Sequence, residues 1–324
     1  MDLAPLLPDG LTYRRPALVE DGTPAAPDRD AILALCRAAE ERVIGDSDTT
    51  VDEVVEMFTS PMSDLEHTLM VHAGDELVGF VWTECDPTSA ESWIDLYAGP
   101  GRDDVLDAFV AFGTGLAREH HAANPGTERW SLRSGCFAAD GETSGALERG
   151  RFERVRRFWR MRIDLEGYDV PEPDAPAGVE VVDGLAEEHV RSTYSVQSTA
   201  FDDHWNHTTR PFDEWFSFFD QPYLDRDGWL LLLVDGEPAA VCILDDSRRE
   251  IDEGYVRSLA VLREHRGKGL ATYLLRRSFA RYAAQGRRGV QLGVDSTSPT
   301  GANHLYESVG MRPHRVIDAW SLWL

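Results

Sequence analysis

Three groups of residues in this chain have the types and spacing to do chemistry. In the stretch REHRGKGLAT, residues 263–272, Gly267 and Gly269 flank Lys268, the only lysine among 324 residues. A strand-like run, GYVRSLAV (254–261), precedes it, and a helical stripe of Leu270, Ala271, Leu274, Leu275, Phe279 and Tyr282 follows. A helix start exposes unpaired N–H groups and partial positive charge. Glycines there remove the Cβ atoms that would hold an anion away. Arg266-Gly267-Lys268-Gly269-Leu270-Ala271 therefore reads as a cradle for a pyrophosphate. A second group is Asn303 and Tyr306, three residues apart and so on one helix face, able to offer an amide and a phenol to one ligand. A third is Glu253 with Tyr255, two residues apart and so on one strand face.

Two familiar phosphate loops do not fit. A P-loop needs Ser or Thr after its lysine, where Gly269-Leu270 stands, and a GxGxxG dinucleotide fingerprint needs glycine at Thr272. The charge context supports an anion site all the same. From Tyr255 to Val290 there are nine Arg or Lys residues against the single acid Glu264, in a chain of formal charge −25. Arg276, Arg277 and Arg281 are explained as a solvated helix face, but Arg263, Arg266 and Lys268 crowd the helix entrance.

The elements that must position these residues occur twice. Residues 166–177, rich in Pro and acids with no hydrophobic period, have linker composition and divide the chain into 1–165 and 178–324. In the second part, GVEVV (178–182) is a strand, about 186–201 a helix, and WLLLLV (229–234) and PAAVCIL (238–244) a hairpin about Asp235-Gly236. The strand at 254–261, the helix after the glycines, the strand GVQLGV (289–294), a short helix in 298–310 and a closing strand DAWSLWL (318–324) complete it. The first part repeats the order: a hairpin at 68–82, a strand at 92–99, a helix at 103–121, a strand at 130–137, a short helix and a closing strand at 157–165. The fold class expected is α/β, two tandem domains, each a mixed, mostly antiparallel sheet flanked by helices.

The pattern [Q/R]-x-x-G-x-[G/A] after a strand ending in valine, with the Asn303–Tyr306 pair downstream, resembles the acetyl-CoA-binding motifs of the GNAT acyltransferase superfamily. The resemblance covers 178–324, and the tandem arrangement is similar to that of the mycothiol synthase family. It implies acetyl-CoA as co-substrate, and strands 254–261 and 289–294 splayed around its arm. Backbone groups of Leu259, Ala260 and Val261 would meet the pantetheine, Asn303 would help hold that arm, and Tyr306 would return a proton to the thiolate. The base is expected at Glu253 through water, with Tyr255 where many relatives carry a carboxylate. Alternatives lie in 200–219, where helices of the superfamily wall the acceptor; Asp203, His204, Trp205 and His207 supply acidic, basic and aromatic contacts there. His204 and His207 lack a third strong ligand, so no metal is expected. At 98–107 Asp103, Asp104 and Val105 replace the cradle, and Leu147 stands where Tyr306 lies, so 1–165 is expected to be a degenerate copy.

Composition narrows the partners. So acidic a chain lacks the broad basic surface of a nucleic-acid binder. No apolar run approaches a membrane span of about 20 residues, and the start lacks signal-peptide character. Four scattered cysteines without a CxxC pair point to reduced, mostly buried thiols and a cytoplasmic setting. The expected partner is a small-molecule amine, in a monomer or homodimer. Within enzymes, antibiotic acetylation and modification of a peptide N-terminus are alternatives; outside them, a CoA-binding sensor or an interaction protein.

Overall fold

A computed structural model describes residues 1–167, 170–202, 205, 208–221, 223–298 and 301–324. Two compact units emerge: Met1–Phe158 together with Val316–Leu324, and Trp159–Arg315. The first unit ends inside β6 (Glu153–Asp164), and the last residues of β12 (Arg312–Trp323) belong to the first unit.

In the first unit, β1 (Leu11–Arg14), β2 (Leu69–Ala73), β3 (Glu76–Asp86), β4 (Glu91–Ala98) and β5 (Ser131–Phe137) lie side by side in that order. β12 closes this sheet by antiparallel pairing with β5, from Ile317 opposite Phe137 to Trp323 opposite Ser131. Arg157 and Arg154 of β6 pair with the buried Asp318 of β12 at 2.6 and 3.4 Å. α3 (Asp103–Ala123) and α4 (Gly141–Arg149) cover one sheet face, burying Val105, Phe109, Phe112 and Leu116 with Ile94 and Leu132. α1 (Ala26–Ile44) and α2 (Val51–Thr59) pack a second core of Ile32, Cys36, Val54 and Phe58 with Met70 and Phe80. Neither α1, α2 nor β1 was anticipated. α1 has its apolar residues spread among many charges, whereas α2 carries a full Thr50–Glu53 capping box.

The second unit holds β7 (Val179–Asp183), β8 (Leu230–Val234), β9 (Glu237–Asp245), β10 (Glu253–Val261) and β11 (Gly289–Asp295), in the order β11-β10-β9-β8-β7 with β6 beside β11. The β8–β9 turn is the expected Asp235-Gly236, both at positive φ. α7 (Leu270–Ala284) buries Leu270, Leu274, Leu275, Phe279 and Tyr282 on one face, as its sequence stripe requires. α5 (Glu187–Phe201) and α6 (Phe212–Phe219) supply further cores with Val196, Ala200, Trp215 and Trp229, and α8 (Ala302–Ser308) follows β11. All four cysteines are free, and burial pushes the Cys136 and Cys242 thiols up to about 12. No described helix is long and apolar enough to cross a membrane.

Candidate active site

β10 builds one wall of the site. It pairs in parallel with β11 only from Glu253 opposite Gly289 to Tyr255 opposite Gln291, although both strands run on. From there they separate, and the β11-facing edge of β10 is left without ladder partners. On its other edge β10 pairs with β9 and carries a bulge at Arg257, between the pairs Val256–Leu244 and Ser258–Ile243. A bulge shifts the side-chain alternation by one. Gly254 and Val256 face α7 before it, and Leu259 and Val261 pack on that same core after it. Ala260 instead joins the core beneath α5.

Beyond Val261 the chain makes a short 3-10 turn at Arg263–His265 and enters the glycine segment. Gly267 and Gly269 have φ of +74° and +82°, and Gly269 is the N-cap of α7. Among the described residues, no atom beyond the adjacent ones lies within 4 Å of where a Cβ would stand at either. Their left-handed backbone, rather than crowding by neighbours, accounts for glycine here. The first bond of the helix is Tyr273 N–H to Gly269 O at 2.9 Å. Among the described residues, the backbone N–H groups of Gly267 through Thr272 donate to no protein acceptor. The first turn of α7 carries no acidic residue, and burial of Leu270 anchors it.

The two cations of the segment have different settings. Arg266 donates from Nε to Val261 O (3.1 Å) and from Nη2 to Ala200 O (3.3 Å), tying the loop to the ends of β10 and α5. Lys268 is exposed, with Nζ 3.4 Å from His265 Nδ1. Ala271 is half-buried beside them.

α8 carries Asn303 and Tyr306, and Tyr306 joins the core that holds Leu259 and Val294. Asn303 Nδ2 donates to Ser296 O at 2.9 Å, fixing the amide, while its Oδ1 is buried with no partner among the described residues. Tyr306 is 8% exposed. Its hydroxyl bonds to no described group, and burial, with Cys242 and Tyr255 nearby, raises it well above the ordinary phenol range. Tyr255 lies across from β11, its hydroxyl 3.4 Å from the Cβ position of Gly293.

Glu253 opens β10, two residues before Tyr255. It is buried at the closed end of the β10–β11 pair, where Oε1 accepts from Nε and Nη2 of Arg162 on β6 at 3.0 and 2.8 Å. Eight residues of strand, about 25 Å, separate it from Val261. The Arg162 pair engages one carboxylate oxygen, and Oε2 is buried with no hydrogen-bond partner among the described residues. Of the expected acceptor residues, Asp203, His204 and His207 lie outside the described residues, and Trp205 is exposed. Sequence reasoning missed a link between β10 and the wall opposite α7. Gln197 of α5 donates to Ser258 Oγ at 3.0 Å and accepts from Trp215 Nε1 of α6. No sequence signal marks it, since each partner is a single polar residue on a different element.

The first unit has the same frame in closed form. β4 and β5 also pair in parallel for three residues, Glu91 opposite Ser131 to Trp93 opposite Arg133. β3–β4 pairing runs from Gly79–Ala98 to Asp86–Glu91 with no bulge. At the start of α3, Arg102 Nε pairs with Asp104 Oδ1 at 3.0 Å, and Val105 N–H is taken by Asp104 Oδ1 and Arg102 O. Leu147 is buried in the core.

Residues 189–311 match the model of the acetyltransferase (GNAT) family. No curated protein matches the chain in sequence. A GCN5-related N-acetyltransferase from Sphaerobacter thermophilus is similar over 98% of this chain and 96% of its own, with TM-score 0.80 and 23% identity. A tandem GNAT protein from the clavulanic acid biosynthesis pathway covers 97% and 98%, with TM-score 0.72 and 16% identity. Saccharomyces cerevisiae N-myristoyltransferase with bound myristoyl-CoA covers 98% and 84%, with TM-score 0.63 and 10% identity. The chain thus has the tandem GNAT fold, of mixed sheets flanked by helices. The match to the acetyltransferase (GNAT) family model falls within the second unit.

Proposed function

We propose that the chain is an acetyl-CoA-dependent N-acetyltransferase that moves the acetyl group to the primary amine of a small molecule. The observation that carries this reading is the run of unengaged N–H groups from Gly267 to Thr272, beside the orphaned Asn303 Oδ1 and the buried Tyr306 hydroxyl. These residues fit acetyl-CoA. Six N–H donors at a helix start suit a pyrophosphate, and a buried carbonyl oxygen without a donor suits a pantetheine amide. When bound, acetyl-CoA supplies the activated thioester.

The chain's own residues do the rest. Lys268 and Arg266 balance phosphate charge at the mouth of the cradle. The unpaired edge of β10 at Leu259, Ala260 and Val261 offers backbone groups to the arm and a donor to the thioester oxygen. The separated strands align amine and carbonyl away from bulk water. Attack by the neutral amine forms the amide, and the C–S bond breaks. Tyr306 holds its proton through the physiological range and gives it to the departing thiolate. The amine's proton leaves through water. Release of free thiol from acetyl-CoA, followed across a panel of small primary amines, tests the reading. An amine-dependent release supports it, and tight acetyl-CoA binding without turnover on any amine replaces it with a CoA sensor.

A further inference from the structure

A second constellation lies in the first unit, on elements that carry none of the residues named for acyl transfer. Asp64 sits in the loop between α2 and β2, His67 follows one turn later, and His120 is in the last turn of α3. His67 Nδ1 is 2.7 Å and His120 Nε2 3.2 Å from the same oxygen, Asp64 Oδ2, and the three donor atoms all lie within 4.8 Å of one another. We propose that Asp64, His67 and His120 form a binding site for a divalent transition-metal ion of the zinc type.

The spacing suits the ion. Ligands about 2.1 Å from a tetrahedral centre stand about 3.4 Å from each other. The Asp64–His120 distance is already close to that, and the Asp64–His67 distance needs to open by under 1 Å. Two imidazoles with one carboxylate select zinc-like ions over magnesium or calcium, which require oxygen ligands. The free Cys85 thiol lies beside His120, and it or water would complete the shell.

The supports are built as metal ligands require. His120 Nδ1 contacts Ser92 Oγ at 2.8 Å, and that oxygen also accepts from the buried Trp130 Nε1 at 3.0 Å. This fixes the ring and leaves Nε2 for the ion. Asp64 is held through its backbone. Its N–H donates to Thr83 O, and its carbonyl accepts from the Thr68 and Thr83 hydroxyls at 3.1 and 3.0 Å. The His67 ring lies 6.2 Å from Phe112 and 6.4 Å, edge-on, from His120. The carboxyl end of α3 adds favourable potential for a cation. Side-chain exposures of 21% for His67, 16% for Asp64 and 14% for His120 leave the site reachable from solvent. A bound ion would clasp the 60–68 loop to α3.

Full-length protein, freed of metal by chelation and then of the chelator, tests the proposal by calorimetric titration with zinc chloride. One saturable site is expected, unaffected by excess magnesium. Asp64→Asn, His67→Ala and His120→Ala should each weaken it by about tenfold or more, whereas the double variant His204→Ala/His207→Ala should leave it intact. Far-ultraviolet circular dichroism identifies any variant that fails to fold, and His67→Gln serves as the milder substitute. Cobalt(II) titration of the unmutated protein gives an independent readout. It should show the intense visible bands of a four-coordinate site, bleached by equimolar zinc. No saturable zinc binding, retained binding in folded His67→Ala, or loss only in the His204/His207 variant would each overturn the proposal.

Discussion

At the scale of single residues, the structure changes the reason for the glycines more than their identity. Gly267 and Gly269 were legible because few other residues repeat so closely at a helix entrance. Their physical role was not, because φ is invisible in a sequence. An asparagine tolerates the left-handed region far better than a β-branched residue. Gly269→Asn should therefore keep measurably more acetyl-CoA affinity in calorimetry than Gly269→Val. Equal loss in both would return the explanation to steric exclusion of the ligand. Tyr306→Phe keeps the ring that fills the core and removes only the hydroxyl. A fall in kcat of about a hundredfold with little change in acetyl-CoA affinity is expected, and an unchanged kcat would remove Tyr306 as the proton donor. Glu253 shows the opposite case. Its place on the strand was readable, but Arg162, 91 residues earlier, was not, and that partner decides what the carboxylate can do.

At the scale of elements, one frame is open in the second unit and closed in the first. The duplicated order of strands and helices was legible from periodicity and turn residues, as was the loss of glycine at 103–105. The bulge at Arg257 was not legible, since no glycine or other residue marks it. With the α3 entrance filled by Arg102, Asp104 and Val105, acetyl-CoA should bind at one site per chain. Calorimetry giving two equivalent sites would contradict this. Counting from the paired residues, Asp95 of β4 takes the register of Arg257 in β10. Burial raises Asp95 from 3.8 to about 6, against a single hydrogen bond from Trp93 Nε1 at 2.8 Å. The folded chain therefore binds this proton more tightly than the unfolded one. The resulting stability is complete below about pH 4 and is lost as pH rises through 6. Asp95→Asn should be more stable than the parent at pH 8, by up to about 3 kcal/mol, with the gain fading by pH 4. Denaturant melts at the two pH values check the sign, and an equal shift at both would refute it.

At the scale of the whole molecule, each unit is completed by chain that the sequence assigns to the other. The Pro-rich segment 166–177 reads as linker from its composition. The division falls within β6 at Phe158, and Val316–Leu324 returns to the first unit. Composition marks where a chain is irregular, while strand pairing over more than 150 residues decides what folds together. Removing Val316–Leu324 takes away the partner of β5, together with Asp318, the mate of Arg157 and Arg154. It also removes Trp320 from the core beneath α3. Burial of that ring alone is worth about 3 kcal/mol or more. A chain ending at Arg315 should therefore lose amide-exchange protection first in β5, although the deletion lies at the far end of the sequence. The cradle at Gly267–Thr272 belongs to the unit spanning Trp159–Arg315, so acetyl-CoA binding should fall less than the stability of the first unit. Hydrogen exchange resolved by segment, run beside calorimetry, measures both. Loss of protection confined to β10 and β11, with β5 unchanged, would show that the C-terminal strand serves the second unit instead.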